Sequence, residues 1–386
     1  MNRADALYQN LQMLTKSEDS PFYVVHHVGV FDSARYEVYS YLLASYTDFL
    51  QPDALECRGH MFRIENGNPV LASLPFKKFF NLGENPMTMD LDLSFENIDS
   101  IYYKEDGSLI STYLDGNGEL RLKSKTALTS TMAIEAMSIL PTIKKPFADR
   151  SLLEYCTALA NDNKTVIMEY VSPKNRIVLP YEQCDLVVLG VRDNETFETW
   201  STDDLRSTGL DIYCAENKEF EDAADFEAFF NSIPKMKGIE GYVVTLKDGT
   251  IFKKKTDEYV SLHHAKDSVT SPRRLMDVIL NEASDDIKQM FKDDTQALRE
   301  IENMEIFVSH LVAGLMKPVD AFYHKNSKLE RKEYAIKGQE ELRKDQFSLA
   351  MQIYSGKEVD YKSYISRNYK KYLGGYNSTL VTEDFE

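Results

Sequence analysis

Three observations predict an α+β chain in two domains. Residues 109–125 read as a β-hairpin around an Asp115-Gly116-Asn117-Gly118 turn, and residues 240–255 as a second one around Lys247-Asp248-Gly249. Beyond residue 260 the texture changes to apolar residues at helical spacing: Leu275, Val278 and Ile279, then Ile301, Met304, Val308, Leu311 and Leu315. With 386 residues the chain is long enough for two cores. We expect antiparallel sheets with flanking helices over residues 1–262 and an all-helical domain over residues 263–386.

Composition narrows the class. Hydrophobic residues at 43% and charged residues at 28% suit a water-soluble globular protein. The opening stretch is amphipathic through Leu7, Leu11 and Leu14, so neither a signal peptide nor a membrane span is expected. Cys57, Cys156, Cys184 and Cys214 are scattered, with no CxxC pair; this argues against structural zinc and fits a reducing cytoplasm. A net charge of −17 excludes a promiscuous nucleic-acid binder, yet a small cluster of cations on an acidic body can still hold a phosphate.

In chain order, residues 4–15 read as a helix and residues 22–30 and 35–41 as strands, with Tyr36, Tyr39, Tyr41, Tyr46 and Phe49 mostly core. Arg58 precedes Gly59 just before a strand, a suitable fork for phosphate oxygens and equally a salt-bridge partner. Lys77 and Lys78 beside Phe79 and Phe80 read alone as a snorkelling surface pair. In the first hairpin, alternation puts Arg121, Lys123 and Lys125 on one face and Leu120 and Leu122 on the other; the charged face reads as solvated. Helices are expected at 129–140 and 149–160. Glu169 then sits in an apolar strand over 165–171, where a carboxylate needs a partner such as Arg176 or a lysine, or a metal. Residues 186–191 read as a buried central strand. The polar region 194–236, with Trp200 and a helical segment at 219–230, suggests no chemistry. In the second hairpin Lys253 and Lys255 share a face while Lys254 points away.

The helical domain shows Ser271-Pro272 and Ser284-Asp285-Asp286 as helix starts, where the dipole alone favours Asp285. Residues 325–344 read as one mixed-charge helix. Tyr361, Tyr364, Tyr369 and Tyr372, interleaved with Lys362, Arg367, Lys370 and Lys371, read as an amphipathic helix packed on its own domain or as a strip for RNA.

Chemistry centres on Lys104, between the apolar Ile101-Tyr102 and the strand at 109–114. A lysine attacks only as the free amine, and a reference pKa near 10.4 leaves about four in ten thousand neutral at pH 7. Neighbouring cations or a metal shift that balance, and Lys123, Lys125, Lys253 and Lys255 are candidates. Lysine beside Glu-Asp-Gly is, by itself, commonly the solvated shoulder of a turn. However, Lys104-Glu105-Asp106-Gly107 has the K-x-D-G form of the covalent nucleotidyltransferase superfamily of ligases and capping enzymes, and further motifs follow in order: Glu169 with residues 170–178, Glu240-Gly241-Tyr242-Val243, and Phe252-Lys253-Lys254-Lys255. The chain resembles the T-even phage type of ATP-dependent RNA ligase, the RNA ligase 1 group, most strongly from Arg58 to Tyr259. Its helical tail fits that group and departs from the β-barrel that usually follows in DNA ligases and capping enzymes.

The resemblance implies an adenylyltransferase (nucleotidyltransferase) domain, a tail that helps recognise tRNA, and ATP with Mg2+ (or Mn2+) as cofactors. It implies Lys104 as nucleophile, with Tyr41, Arg58, Lys78, Glu169, Lys253 and Lys255 on ATP. Asp106, Gly107, Lys123, Lys125, Gly241 and Tyr259 would support them, and Glu169, Glu240 and Asp285 would hold metal. The implied partner is RNA with 5′-phosphate and 3′-hydroxyl ends, such as a nicked tRNA anticodon loop, in the cytoplasm of a phage-infected cell; a monomer is expected. Two alternatives are another superfamily member, a DNA ligase or capping guanylyltransferase, and a tRNA-binding protein without turnover.

Overall fold

The computed structural model describes residues 2–17, 19–173, 179, 181–263, 269, 271–292 and 294–376. The chain divides into two compact units, Met1–His263 and His264–Glu386. Three four-stranded sheets build the first unit. The first joins β1 (Phe22–Val28), β2 (Arg35–Tyr41), β3 (His60–Glu65) and β4 (Asn68–Ser73) as a simple antiparallel meander. Helix α1 (Arg3–Leu14), capped by Asn2, lays Leu7, Leu11 and Leu14 into a core with Phe22, Tyr39 and Phe62.

The other two sheets meet at the expected nucleophile. The second contains β5 (Phe80–Asn81), β6 (Ile98–Tyr103), β11 (Gly241–Leu246) and β12 (Ile251–Lys255) in the order β5-β12-β11-β6. The third contains β7 (Ser108–Leu114), β8 (Leu120–Lys123), β9 (Lys164–Val171) and β10 (Asp185–Asp193) in the order β10-β9-β7-β8. Lys104 to Gly107 are therefore the link by which the chain leaves one sheet for the next. Among the described strands all pairings are antiparallel except the two-residue parallel contact of β5 with β12, which brings the segment after Lys78 beside Lys253.

Helices cover the sheets where the sequence periodicity placed them, with shifted ends. Thr131–Ile139 and Leu152–Asn161 pack Ala133, Ala136, Leu152 and Cys156 on the third sheet, with Trp200 joining the same core. Ala223–Ser232 sets Phe226 and Phe230 against the second sheet. A last helix, Asp257–His263, follows β12 directly.

In the second unit the described elements are all helical: Pro272–Leu280, Ser284–Met290, Thr295–Asn326, Arg331–Glu341, Lys344–Tyr354, Tyr361–Arg367 and Tyr369–Leu373. The single helix expected at 325–344 is instead broken: the long helix ends at Asn326, and Arg343 with Gln346 caps a new one. The 32-residue helix contains Pro318, whose missing N–H would orphan the carbonyl of Gly314. Gln346 Nε2 donates to that carbonyl at 2.8 Å and Arg343 Nη2 at 3.3 Å. The tyrosine strip is partly packing: Tyr361 and Tyr372 are buried, donating to Asp320 and Asp345, while Lys370 and Lys371 are exposed.

Gly241 begins β11 at φ 149°, and a Cβ there would lie 2.1 Å from the Lys254 carbonyl oxygen. We expect Gly241→Ala to cost about 2 kcal/mol or more, seen as a lowered thermal midpoint in a circular-dichroism melt, because the strand must move off its partner.

Candidate active site

Glu240 precedes β11 and is 2% exposed. One carboxylate oxygen lies 2.9 Å from Lys104 Nζ and the other 2.8 Å from Lys255 Nζ. Burial by itself would raise the Glu240 pKa, but Lys104 and then Lys255 outweigh it and hold the carboxyl below its ordinary value. The local backbone fixes this pairing: Lys104 N donates to Gly241 O at 2.9 Å, and Gly241 sits opposite Lys255 in the β11–β12 register.

Lys255 Nζ also lies 4.9 Å from the centre of the Tyr259 ring, whereas Lys254 Nζ lies 3.6 Å from that of Phe230. The two lysines thus leave the strand on opposite faces, as alternation requires, and Lys253 shares the Lys255 side.

The loop after Lys104 is clamped on every side. Asp106, 1% exposed, accepts from Tyr259 Oη at 2.8 Å and from Leu179 N at 2.7 Å. Its own N–H donates to Tyr181 Oη at 2.9 Å, and Tyr181 donates to Glu105 at 2.7 Å. Tyr181 was missed in the sequence, where nothing local marks a residue 75 positions away. Gly107 is required by close approach: a Cβ there would sit 2.3 Å from the Tyr170 carbonyl oxygen. In its place, Gly107 N donates to Glu169 Oε1 at 3.1 Å. Burial pushes the Glu169 carboxyl up to about 7, with Lys104 pulling down and Glu240 pushing up. Arg176, considered as its partner, lies outside the described residues, as do residues 174–178 of the motif match.

A second group of cations rests on aromatic faces. The Tyr41 ring centre is 4.6 Å from Lys125 Nζ and 5.5 Å from Lys78 Nζ, and Lys78 is also 4.9 Å from the Phe80 ring. Arg58 lies 5.7 Å from the Phe79 ring and donates to Phe76 O at 3.5 Å. Its charge reaches Glu169, helping to lower that carboxyl, so the two groups are electrostatic neighbours. Asp285 belongs to the second unit, in the first turn of Ser284–Met290. Among the described residues no three His, Cys, Asp or Glu side chains form a metal cage. Glu169 and Glu240 still suit a hard cation that draws its other oxygens from phosphate and water. A separate cavity of about 570 Å3, lined by Ile98, Ser100, Thr202, Arg206, Lys218 and Lys247 among others, contains none of these residues.

Lys123 departs from the solvated face read in the sequence. It is fully buried, and its Nζ donates to the carbonyls of Gly59 at 2.7 Å, Ser124 at 3.1 Å and Lys125 at 3.3 Å. Period two gave its side of the strand; that the first sheet covers that side was not legible locally. Burial pushes its pKa down to about 7. Between that pH and the ordinary value of 10.5 the unfolded chain binds more protons, so this group makes stability rise with pH across that window. Denaturant midpoints measured from pH 7 to 10 should rise, and Lys123→Met should flatten the slope.

Among the described residues no helix is long and apolar enough to cross a membrane. Residues 56–260 match the family model described as RNA ligase, and residues 266–381 match that of the T4 RNA ligase 1 C-terminal domain. RNA ligase 1 of bacteriophage TS2126 is 30% identical over 235 residues, 56% of this chain and 53% of that protein. This match therefore spans about half the length of that relative. A solved archaeal ATP-dependent RNA ligase, form 1, aligns over 97% of this chain and 99% of its own at 12% identity, with a TM-score of 0.48. Because the ligase model covers more than half of the chain and the C-terminal model most of the rest, this protein belongs to the T4 RNA ligase 1 family.

Proposed function

We propose that this protein is an ATP-dependent RNA ligase acting through a lysine-linked adenylate. The observation that carries the reading is that one buried carboxylate, Glu240, holds Lys104 and Lys255 together. In the first step the neutral Lys104 Nζ, its proton released to water, attacks the ATP α-phosphorus. An N–P bond forms as the bond to the bridging oxygen breaks, and pyrophosphate leaves. Lys253 and Lys255 offset charge on the α-phosphate, while Arg58, Lys78 and Lys125 take the outer phosphates and Tyr41 and Glu169 the nucleoside side. A divalent cation, Mg2+ or Mn2+, held by Glu169 and Glu240 would supply charge neutralisation at the phosphates. In the second step an RNA 5′-phosphate oxygen attacks the adenylate phosphorus and Lys104 departs. In the third, an RNA 3′-hydroxyl attacks the 5′-phosphorus, AMP leaves, and the strand is closed.

Rate comes from holding the reacting groups in line and from fixed charge, which the clamped Asp106 loop favours. We assign the substrate as RNA with 5′-phosphate and 3′-hydroxyl ends, such as a nicked anticodon loop, in the cytoplasm of a phage-infected host, with the exposed Lys370 of the tail as a contact for phosphates. The rival of a capping-type enzyme differs in its nucleotide.

With α-labelled ATP the wild-type protein should acquire covalent label that Lys104→Ala does not; label from GTP instead would favour the capping-type rival. Retained label on Lys104→Ala would remove the nucleophile. In the same assay Lys253→Ala and Lys255→Ala should each lose about 100-fold or more in rate, and Lys254→Ala less than about threefold. Equal losses at all three would contradict the assigned faces.

A further inference from the structure

A buried ion pair lies behind the cations assigned to the outer phosphates. Arg192, at the end of β10, is 4% exposed. Its Nη1 donates to Glu56 Oε2 at 2.8 Å and to the Pro75 carbonyl at 2.7 Å; its Nη2 donates to Glu56 Oε1 at 3.0 Å and to the Phe197 carbonyl at 3.0 Å. All the hydrogens of both terminal nitrogens are thereby used. Glu56 takes a further contact from the fully buried His60, whose Nε2 is 2.8 Å away. An arrangement of this kind is a poor source of stability, since a buried pair loses its hydration and apolar side chains often do as well. What it does supply is geometry.

Two of the three acceptor segments, those of Glu56 and Pro75, lead to phosphate-side cations. Arg58 N donates to Glu56 O at 2.7 Å, and Lys78, three residues after Pro75, has its N–H on Leu55 O at 2.7 Å. One guanidinium therefore ties the chain that presents Arg58 to the chain that presents Lys78. We propose that Arg192 is a positioning residue for the outer-phosphate site, fixing the separation of Arg58 and Lys78 through its fork to Glu56 and Pro75; this rests on the ligase reading of those two cations. A lysine cannot replace it, because an ammonium offers its protons from one point and cannot span two carboxylate oxygens and two carbonyls.

The test uses the full chain, with inorganic tripolyphosphate and AMP as separate calorimetric probes. Arg192→Lys should weaken tripolyphosphate binding by about tenfold or more, with AMP within about twofold of wild type, since only the outer-phosphate cations are displaced. Glu56→Gln, which keeps the shape of the pair and removes its charge, should shift the same probe in the same direction by about threefold. Should Arg192→Lys fail to give a cooperative melt, Glu56→Gln decides alone. Equal weakening of both probes, an unchanged tripolyphosphate affinity, or a wild-type protein that binds no tripolyphosphate would each overturn the proposal. Covalent labelling of the wild-type protein by ATP is read separately, so a failure of the ligase reading is seen on its own.

Discussion

The rest of the site depends on a carboxylate shared by two ammonium groups. Left without Glu240, Lys104 and Lys255 would repel each other across the β11 terminus; without the lysines, Glu240 would be a buried charge with nothing to compensate it. The three groups reach each other from the end of one strand, the start of another and an inter-sheet link. The sheet register therefore sets the position of the Lys104 amine.

Charge is organised in the same spirit throughout the first unit. A net charge of −17 gives no general attraction for polyanions, yet Arg58, Lys78 and Lys125 are gathered over the rings of Tyr41, Phe79 and Phe80. Aromatic faces hold cations without neutralising them as a carboxylate would. Lys104 and Lys255 are held by a carboxylate, which orients them.

Much of this was legible because it follows from period two and local turn chemistry. Alternation placed Lys254 opposite Lys255, and the two Gly-containing turns marked the hairpins. Long-range contacts were not legible. Lys123 sits on the side of β8 that alternation assigns, but its three carbonyl acceptors come partly from Gly59, 64 residues earlier. Tyr181 reaches Asp106, and Arg192 reaches Glu56, only after the sheets have assembled. Glu169 was recognised as a carboxylate in need of a partner, and one it finds is a backbone N–H at Gly107, which no pattern of side chains could announce. The helix expected at 325–344 failed for a similar reason: its helix formers span a cap at Arg343 that is set by Gln346.

The proline within the longest helix has a structural corollary. Because the carbonyl of Gly314 takes its donors from Arg343 and Gln346, that helix borrows part of its own ladder from a segment about thirty residues downstream. Its middle turn is complete only when the Lys344–Tyr354 helix is seated beside it. Two side-chain bonds to one backbone carbonyl thus make these helices interdependent, and trimming the chain before Arg343 would leave a polar gap in the longer of them.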